Sequence, residues 1–264
     1  MNTNKLQVFV FAMLFVVGAF TGCVDEDDDD KTTTDNTIKI GFLNPITGPL
    51  EPDAPGFKWG ADQAISDLSA MYPNETFELV ELDSGCSGDV AGPAAQTLVD
   101  SGVVAVVGAA CSGASMSANA VLAAAGIPMI SYASTNPGLS DAVAYPHFYR
   151  NVPSDAIQGP AGADMMADAG VGNESLAILH MTNDYGSGLA DSIKGAWEED
   201  GKLCSAGMQG YEETTTDFTT MVGNITDASD CTAVYLSSYI TDAAGILEAL
   251  ADAGFTGHVF GGDG

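Results

Sequence analysis

Residues 103–119 read VVAVVGAACSGASMSAN, an apolar run that gives way to small residues, one cysteine and three serines. A short, uncharged, valine-rich run has the length and branching of a buried strand, and the small residues after it mark a turn at its carboxyl end. On either side, IKIGFLN, FELVELD and IPMISYA have the same strand character, with the Ala-rich stretches GADQAISDLSAMY, AGPAAQTLVDSG and ANAVLAAAG between them. The rhythm resumes with SLAILHM, KLCSAGMQGY, TAVYLSS and HVFGG, spaced by GLADSIKGAWEEDG, FTTMVGNITDA and AAGILEALADAG. Strands alternating with helical patterns predict βαβ units and parallel sheets. The two series are separated by AYPHFYRNVPSDAIQGP, rich in proline and aromatics, which reads as a crossover. The expected architecture is therefore α/β: two Rossmann-like lobes, residues 38–153 and 154–264, facing each other across a ligand cleft.

In an open α/β sheet the crevice lies beyond the carboxyl ends of the strands, which is where Cys111 to Ser117 falls. Small residues there let backbone N–H groups approach a ligand, and the following helix directs its positive end at an anion. SYASTNP, residues 131–137, repeats the arrangement after the next strand. Helix capping through Ser115 or Asn136 is the plainer role for these residues, and it is compatible with ligand binding. A nucleophilic role has less support, because neither Ser112 nor Ser115 sits in Gly-x-Ser-x-Gly. His147, His180 and His258 are scattered through crossover and strands, with no His-Glu-x-x-His or Cys-x-x-Cys pairing for a metal. YGSGLAD and GVGNES lack the third glycine of a dinucleotide loop. The sequence thus names no catalytic residue, metal site or cofactor, and the expectation is a protein that is not an enzyme.

The 264 residues carry 36 acids against 7 bases, a formal charge of −29, and Arg150 is the only arginine. Nucleic-acid binding requires clustered cations and is excluded on that ground. Such an acidic excess suits a saline habitat, archaeal sources included, since self-repulsion loosens the fold in dilute buffer; an ordinary acidic secreted protein is the alternative. On the saline reading, the melting temperature rises between low and molar salt, and a flat scan would exclude it.

Lys5 precedes a thirteen-residue apolar run, Val8 to Phe20. A membrane span needs about 20 apolar residues, so residues 1–22 read as a signal peptide. FTGC resembles a bacterial lipobox, with Phe20 where leucine is usual, and makes Cys23 the expected lipidated residue. The acidic, Thr-rich stretch to residue 37 reads as a solvated tether. Cys86, Cys111, Cys204 and Cys231 remain, an even number that allows three disulfide connectivities in an oxidising compartment. Pairing neighbours in sequence gives 86 with 111 and 204 with 231; buried free thiols are the other reading.

The ordered series NPITGP, DSGCSGD, GAACSGAS, IPMISYASTNPGLSD, FYRNVPSDAIQGP, NDYGSGLADSI and VYLSSY resembles the type 1 periplasmic binding proteins, in particular the branched-chain amino acid class that serves ABC transporters. The resemblance covers Ile38 to the end. It implies a disulfide between Cys86 and Cys111 beside the ligand, with Ser112 and Thr135 holding the ligand carboxylate. It further implies that the Ser134 carbonyl and Asp263 hold the amino group, and that Tyr185 and Tyr239 close from the second lobe. Asp263 stands where some members have glutamate, and LEPDAPGFKWG departs from the family pattern, so Asp53 has no implied role.

Family members also continue past the position of Gly264, and the expectation is a partial product whose first lobe exposes an unpaired edge or apolar surface. The resulting reading is a membrane-anchored extracytoplasmic lipoprotein that captures an amino acid with an apolar side chain for an ABC permease. Its mechanism is closure about a hinge near Asn151 to Asp155. A sensor module of the same fold is the alternative.

Overall fold

A computed structural model describes residues 37–200 and 202–264. The expected signal peptide, Cys23 and nearly all of the tether lie outside the described residues. Thr37, placed at the end of the tether, instead opens the first strand.

The first sheet contains β1 (Thr37–Asn44), β2 (Thr76–Asp83), β3 (Ala105–Val107), β4 (Met129–Ser131) and β5 (Phe148–Arg150), in the order β2-β1-β3-β4-β5 and parallel throughout. The second contains β6 (Leu176–Met181), β7 (Leu203–Tyr211), β8 (Ala233–Ser237) and β9 (His258–Gly261), in the order β7-β6-β8-β9 and also parallel. The helices are α1 (Ala54–Met71), α2 (Gly88–Asp100), α3 (Ser112–Ala124), α4 (Asp155–Asp168), α5 (Asp184–Asp200), α6 (Thr219–Asp227) and α7 (Ile240–Asp252). This is the expected α/β architecture with two parallel sheets. In each sheet the strand order reverses beside the first strand of its series, giving a switch point between β1 and β3 and another between β6 and β8.

The apolar strands are buried because helices cover them. Leu176, Ile178, Leu179 and Tyr235 in the second sheet are inaccessible or nearly so, enclosed by Leu189, Ile193, Ile225 and Ile246. The first sheet is less evenly covered. Phe42, Val107, Ile130 and Tyr149 form one cross-strand row, and exposure rises along it from 1% at Phe42 to 42% at Ile130 and 58% at Tyr149. An apolar sheet surface is therefore open at its β4–β5 end.

Two elements differ from the sequence expectation. Helix α3 starts at Ser112 and not near Ala118, because Ser112-Gly-Ala-Ser-Met-Ser is compatible with helix once Cys111 takes the extended N-cap conformation. The expected crossover is partly regular: Phe148–Arg150 pairs with β4, and α4 begins at Asp155 after Ser154 caps it through the Ala156 N–H.

Candidate functional site

The carboxyl ends of the strands in both sheets face one another, and the turns that follow them build the site. Asp83, at the end of β2, organises the entrance loop. Its carboxylate accepts from the Thr47 hydroxyl at 2.6 Å and from the N–H groups of Thr47 and Gly85. Burial would raise its pKa, but those donors outweigh burial and hold it below the ordinary value.

After β3 and β4 come the two small-residue turns. Ser115 does not cap α3: its hydroxyl accepts from the Ala109 N–H at 3.1 Å and meets the Ser134 hydroxyl at 2.8 Å. Ser134 in turn reaches the carbonyls of Ala109 and Ala110, while Ser131 donates to Ala109 at 2.6 Å. This buried hydroxyl network locks the turns together. The Ser134 carbonyl, the expected partner of the ligand amino group, accepts from Arg150 Nη1 at 3.3 Å. Arg150 further binds the Asn136 carbonyl at 3.0 Å and the Ser140 hydroxyl. Asn136 does act as a cap, accepting from the Gly138 N–H at 2.7 Å.

Ser112 and Thr135 lie one in each of these turns, both buried. The Ser112 hydroxyl accepts from the Asn136 N–H at 3.2 Å. Thr135 Oγ1 is buried without a hydrogen-bond partner. Its carbonyl accepts from the N–H of Asp155 at 2.9 Å, which docks the first turn of α4 onto the loop.

From the second sheet come Thr182 to Tyr185 after β6, Glu212 to Thr214 after β7, Tyr239 after β8 and Asp263 after β9. Tyr185 and Tyr239 are stacked, with ring centroids 5.3 Å apart and planes 6° from parallel. Both are buried, and burial pushes both phenols up. The Tyr185 hydroxyl donates to Asp263 Oδ1 at 3.0 Å, and the Tyr239 hydroxyl donates to Cys86 Sγ at 3.5 Å. Cys86 is bonded to Cys111, and Cys204 to Cys231. The structure therefore brings Tyr239 onto the first disulfide and Tyr185 onto Asp263.

Between the two sets of turns lies a cavity of about 330 Å³ bounded by Cys86, Cys111 and Gly113 on one side and by Asp184, Tyr185 and Tyr239 on the other. Glu212 and Glu213 line its rim. Small residues permit the approach of α3 and α5. A Cβ on Gly113 would lie 2.6 Å from Asp184 Oδ2, and one on Gly188 would lie 2.5 Å from Asn136 Nδ2. Asn136 Nδ2 donates to the Asp184 carbonyl at 2.5 Å, a direct bond across the cleft.

Sequence reasoning named Asp155 only as the end of the expected hinge and did not single out Gln158 or the structural role of Arg150. Gln158 Nε2 donates to Asp155 Oδ1 at 3.0 Å and to Asp263 Oδ1 at 2.9 Å. The available signal was a lone arginine followed by a capped, acidic helix start in RNVPSDAIQ. Among the described residues, no group of three or more His, Cys, Asp or Glu side chains could hold a metal ion. No described helix is long and apolar enough to cross a membrane.

A family model described as "Periplasmic binding protein" matches residues 37–263. The chain is 27% identical over 231 residues to a leucine-, isoleucine-, valine-, threonine- and alanine-binding protein of Pseudomonas aeruginosa, covering 87% of this chain and 61% of that protein. It is 27% identical over 229 residues to the Leu/Ile/Val-binding protein of Escherichia coli K12, covering 86% and 61%. Among solved structures, the branched-chain amino acid transporter substrate-binding protein LivJ of Streptococcus pneumoniae, in complex with isoleucine, superposes with a TM-score of 0.76 at 26% identity, covering 86% of this chain and 64% of that one. The leucine-binding protein LivK of Thermotoga maritima gives 0.75 at 25% identity, covering 86% and 63%. The chain spans about three fifths of the length of these curated relatives.

Proposed function

The chain belongs to the periplasmic binding protein family, and from that membership we propose that it captures a free amino acid outside the cytoplasm and presents it to an ABC permease. The observation that carries this reading is the cavity at the facing carboxyl ends of two parallel sheets, lined by Ser87 from the first set of turns and by Thr182, Asn183, Thr214 and the carboxylates of Asp184, Glu212 and Glu213 from the second; Ser112, Thr135 and Asp263 lie beside it and do not line it. A zwitterion buried in a closed cleft needs both: donors for its carboxylate and an anion or carbonyl for its ammonium.

Ser112 and Thr135 are the proposed carboxylate ligands and Asp263 the proposed ammonium ligand. Binding energy contributed from both sheets would favour a closed arrangement over an open one, with bending near Asn151 to Asp155. Lobes at 38–153 and 154–264 and a lipid anchor at Cys23 belong to the same proposal. The named relatives bind leucine, isoleucine and valine, and an apolar side chain is the proposed preference here. It would rest against the Cys86–Cys111 bridge and the stacked tyrosine pair.

Isothermal titration of the purified protein with leucine, isoleucine and valine tests the reading, and no heat with any amino acid would reject it. The cavity also predicts a selectivity. Asp184, Glu212 and Glu213 line it and no lysine or arginine does, so glutamate and aspartate are expected to bind at least 100-fold more weakly than leucine. Equal binding of leucine and glutamate would refute that selectivity.

A further inference from the structure

We propose that Asp155 is a positioning residue of the ligand site. As a neutral acid it donates a hydrogen bond from Oδ2 to Thr135 Oγ1, which turns the Thr135 hydroxyl proton toward the carboxylate of the bound amino acid. The proposal rests on the amino acid-binding reading and adds to it a group that never touches the ligand.

Two buried atoms carry the argument. Asp155 Oδ2 and Thr135 Oγ1 are each without a hydrogen-bond partner, and their residues are 0% and 1% exposed. Orphaned polar atoms in a native interior need a reason, because each leaves its desolvation uncompensated. The two are neighbours: the Asp155 N–H donates to the Thr135 carbonyl at 2.9 Å, and the Thr135 hydroxyl acts on the Asp155 carboxyl. A single proton on Oδ2 satisfies both. Asp155 then donates, Thr135 Oγ1 accepts, and the threonine's own O–H is left free to donate forward. An ionised Asp155 reverses the chain, since it can only accept, and draws the threonine proton away from the ligand.

The surroundings fix the carboxyl for this role. Gln158 Nε2 holds Oδ1 at 3.0 Å, leaving Oδ2 for Thr135. The charged and titratable groups facing Asp155 are Arg150 from β5, Tyr185 from α5, Tyr235 from β8 and Asp263 beyond β9. Burial pushes the Asp155 pKa up to about 6, with Asp263 adding to the rise and Gln158, Thr135 and Arg150 opposing it. Arg150 makes no salt bridge to Asp155; its guanidinium is bonded to the carbonyls of Ser134 and Asn136. With a ligand in place, the ammonium and Arg150 are positive, and the ligand carboxylate and Asp263 are negative. Charge balances only while Asp155 is neutral, so the ligand carboxylate raises its affinity for the proton further.

The sign follows. Ligand capture takes up a proton above pH 6, and affinity falls as pH rises through that range. Titration of the wild-type protein with leucine at pH 5.5, 7 and 8.5 is expected to show a Kd that climbs about tenfold or more across the series, with proton uptake seen as a dependence of the heat on buffer ionisation. Asp155→Asn, whose amide donates at every pH, is expected to bind with a Kd that is flat across the series and close to that of wild type at pH 5.5. Asp155→Ala is expected to bind weakly at all three. A pH-independent wild-type Kd overturns the proposal, as does a folded Asp155→Asn protein with wild-type pH dependence or with no binding. If no amino acid binds the wild type at any pH, the functional reading fails first and the proposal falls with it. The Asp155→Asn melting temperature then still reports separately whether the buried acid is strained: neutralising it raises Tm at pH 8 more than at pH 5.

Discussion

Asp263→Asn is expected to weaken leucine capture by about 30-fold or more at pH 7, while the melting temperature of the free protein stays within a few degrees of wild type. The two halves of this result have different physical origins. Asp263 is exposed in the free protein, and its Oδ1 accepts from Gln158 and Tyr185. An asparagine oxygen can accept the same two bonds, so the local scaffold survives and no buried charge is created or lost. The ligand experiences the change differently. Its ammonium must leave water, and the formal charge proposed to compensate it is the Asp263 carboxylate. Truncating one partner of a desolvated, hydrogen-bonded charge pair costs about 2–5 kcal/mol, and the lower bound already corresponds to a factor of about 30. Calorimetry with leucine and a thermal scan without it separate binding from folding. A variant that keeps Kd within fivefold of wild type would remove Asp263 from the ammonium site. One that loses Kd and Tm together would make the residue structural.

How much of this could be read in advance depends on which physical signal was local. The strand and helix alternation is written in runs of apolar residues a few positions long, so β1, β2, β6 and β8 stand out without any tertiary information. Helix α3 was harder to start, because serine and glycine are ambiguous between turn and helix. The decision is made by Cys111 adopting an extended N-cap and by packing of Ala114 and Ala118 into the core. Strand β5 is three residues long and exists because β4 pairs with it, a non-local cause that periodicity does not register. The site shows the same division. The two hydroxyl-bearing turns sit at strand ends and were visible as composition. Asp155 and Gln158 belong to the site only because α4 starts against the Thr135 carbonyl and because residues 105 positions apart, Gln158 and Asp263, meet there. The bonding roles within the serine turns were not separable in sequence either. Ser134 and Ser112 are both small hydroxyl residues, yet the Ser134 hydroxyl reaches the Ala109 and Ala110 carbonyls while the Ser112 hydroxyl accepts from the Asn136 N–H.

Removing the two disulfides separately is expected to cost similar stability and to have different consequences for binding. The Cys86–Cys111 and Cys204–Cys231 bridges span 25 and 27 residues, and closing loops of that size stabilises a fold by about 3–4 kcal/mol in the chain-entropy picture. For a protein of this length each kcal/mol corresponds to about 2–4 °C, so Cys86→Ser/Cys111→Ser and Cys204→Ser/Cys231→Ser are each expected to lower Tm by about 6–15 °C. Their places in the fold differ. Cys204 lies at the start of β7 and Cys231 just before β8, at the amino-terminal end of the second sheet, away from the cleft. Cys86 and Cys111 follow the carboxyl ends of β2 and β3, line the cavity and meet the Tyr239 hydroxyl. Cys111 is also the N-cap of α3, so the bridge holds the helix whose first turn carries Ser112. Losing it releases the loop after β2 from that helix and removes part of the surface proposed to contact the ligand side chain. Leucine affinity is therefore expected to fall at least tenfold in the Cys86→Ser/Cys111→Ser protein, and to stay within twofold of wild type in the Cys204→Ser/Cys231→Ser protein at a temperature where both are folded. Equal losses of affinity in the two variants would mean that the first bridge acts through global stability alone. Unchanged affinity in both would move the ligand away from the Cys86–Cys111 wall.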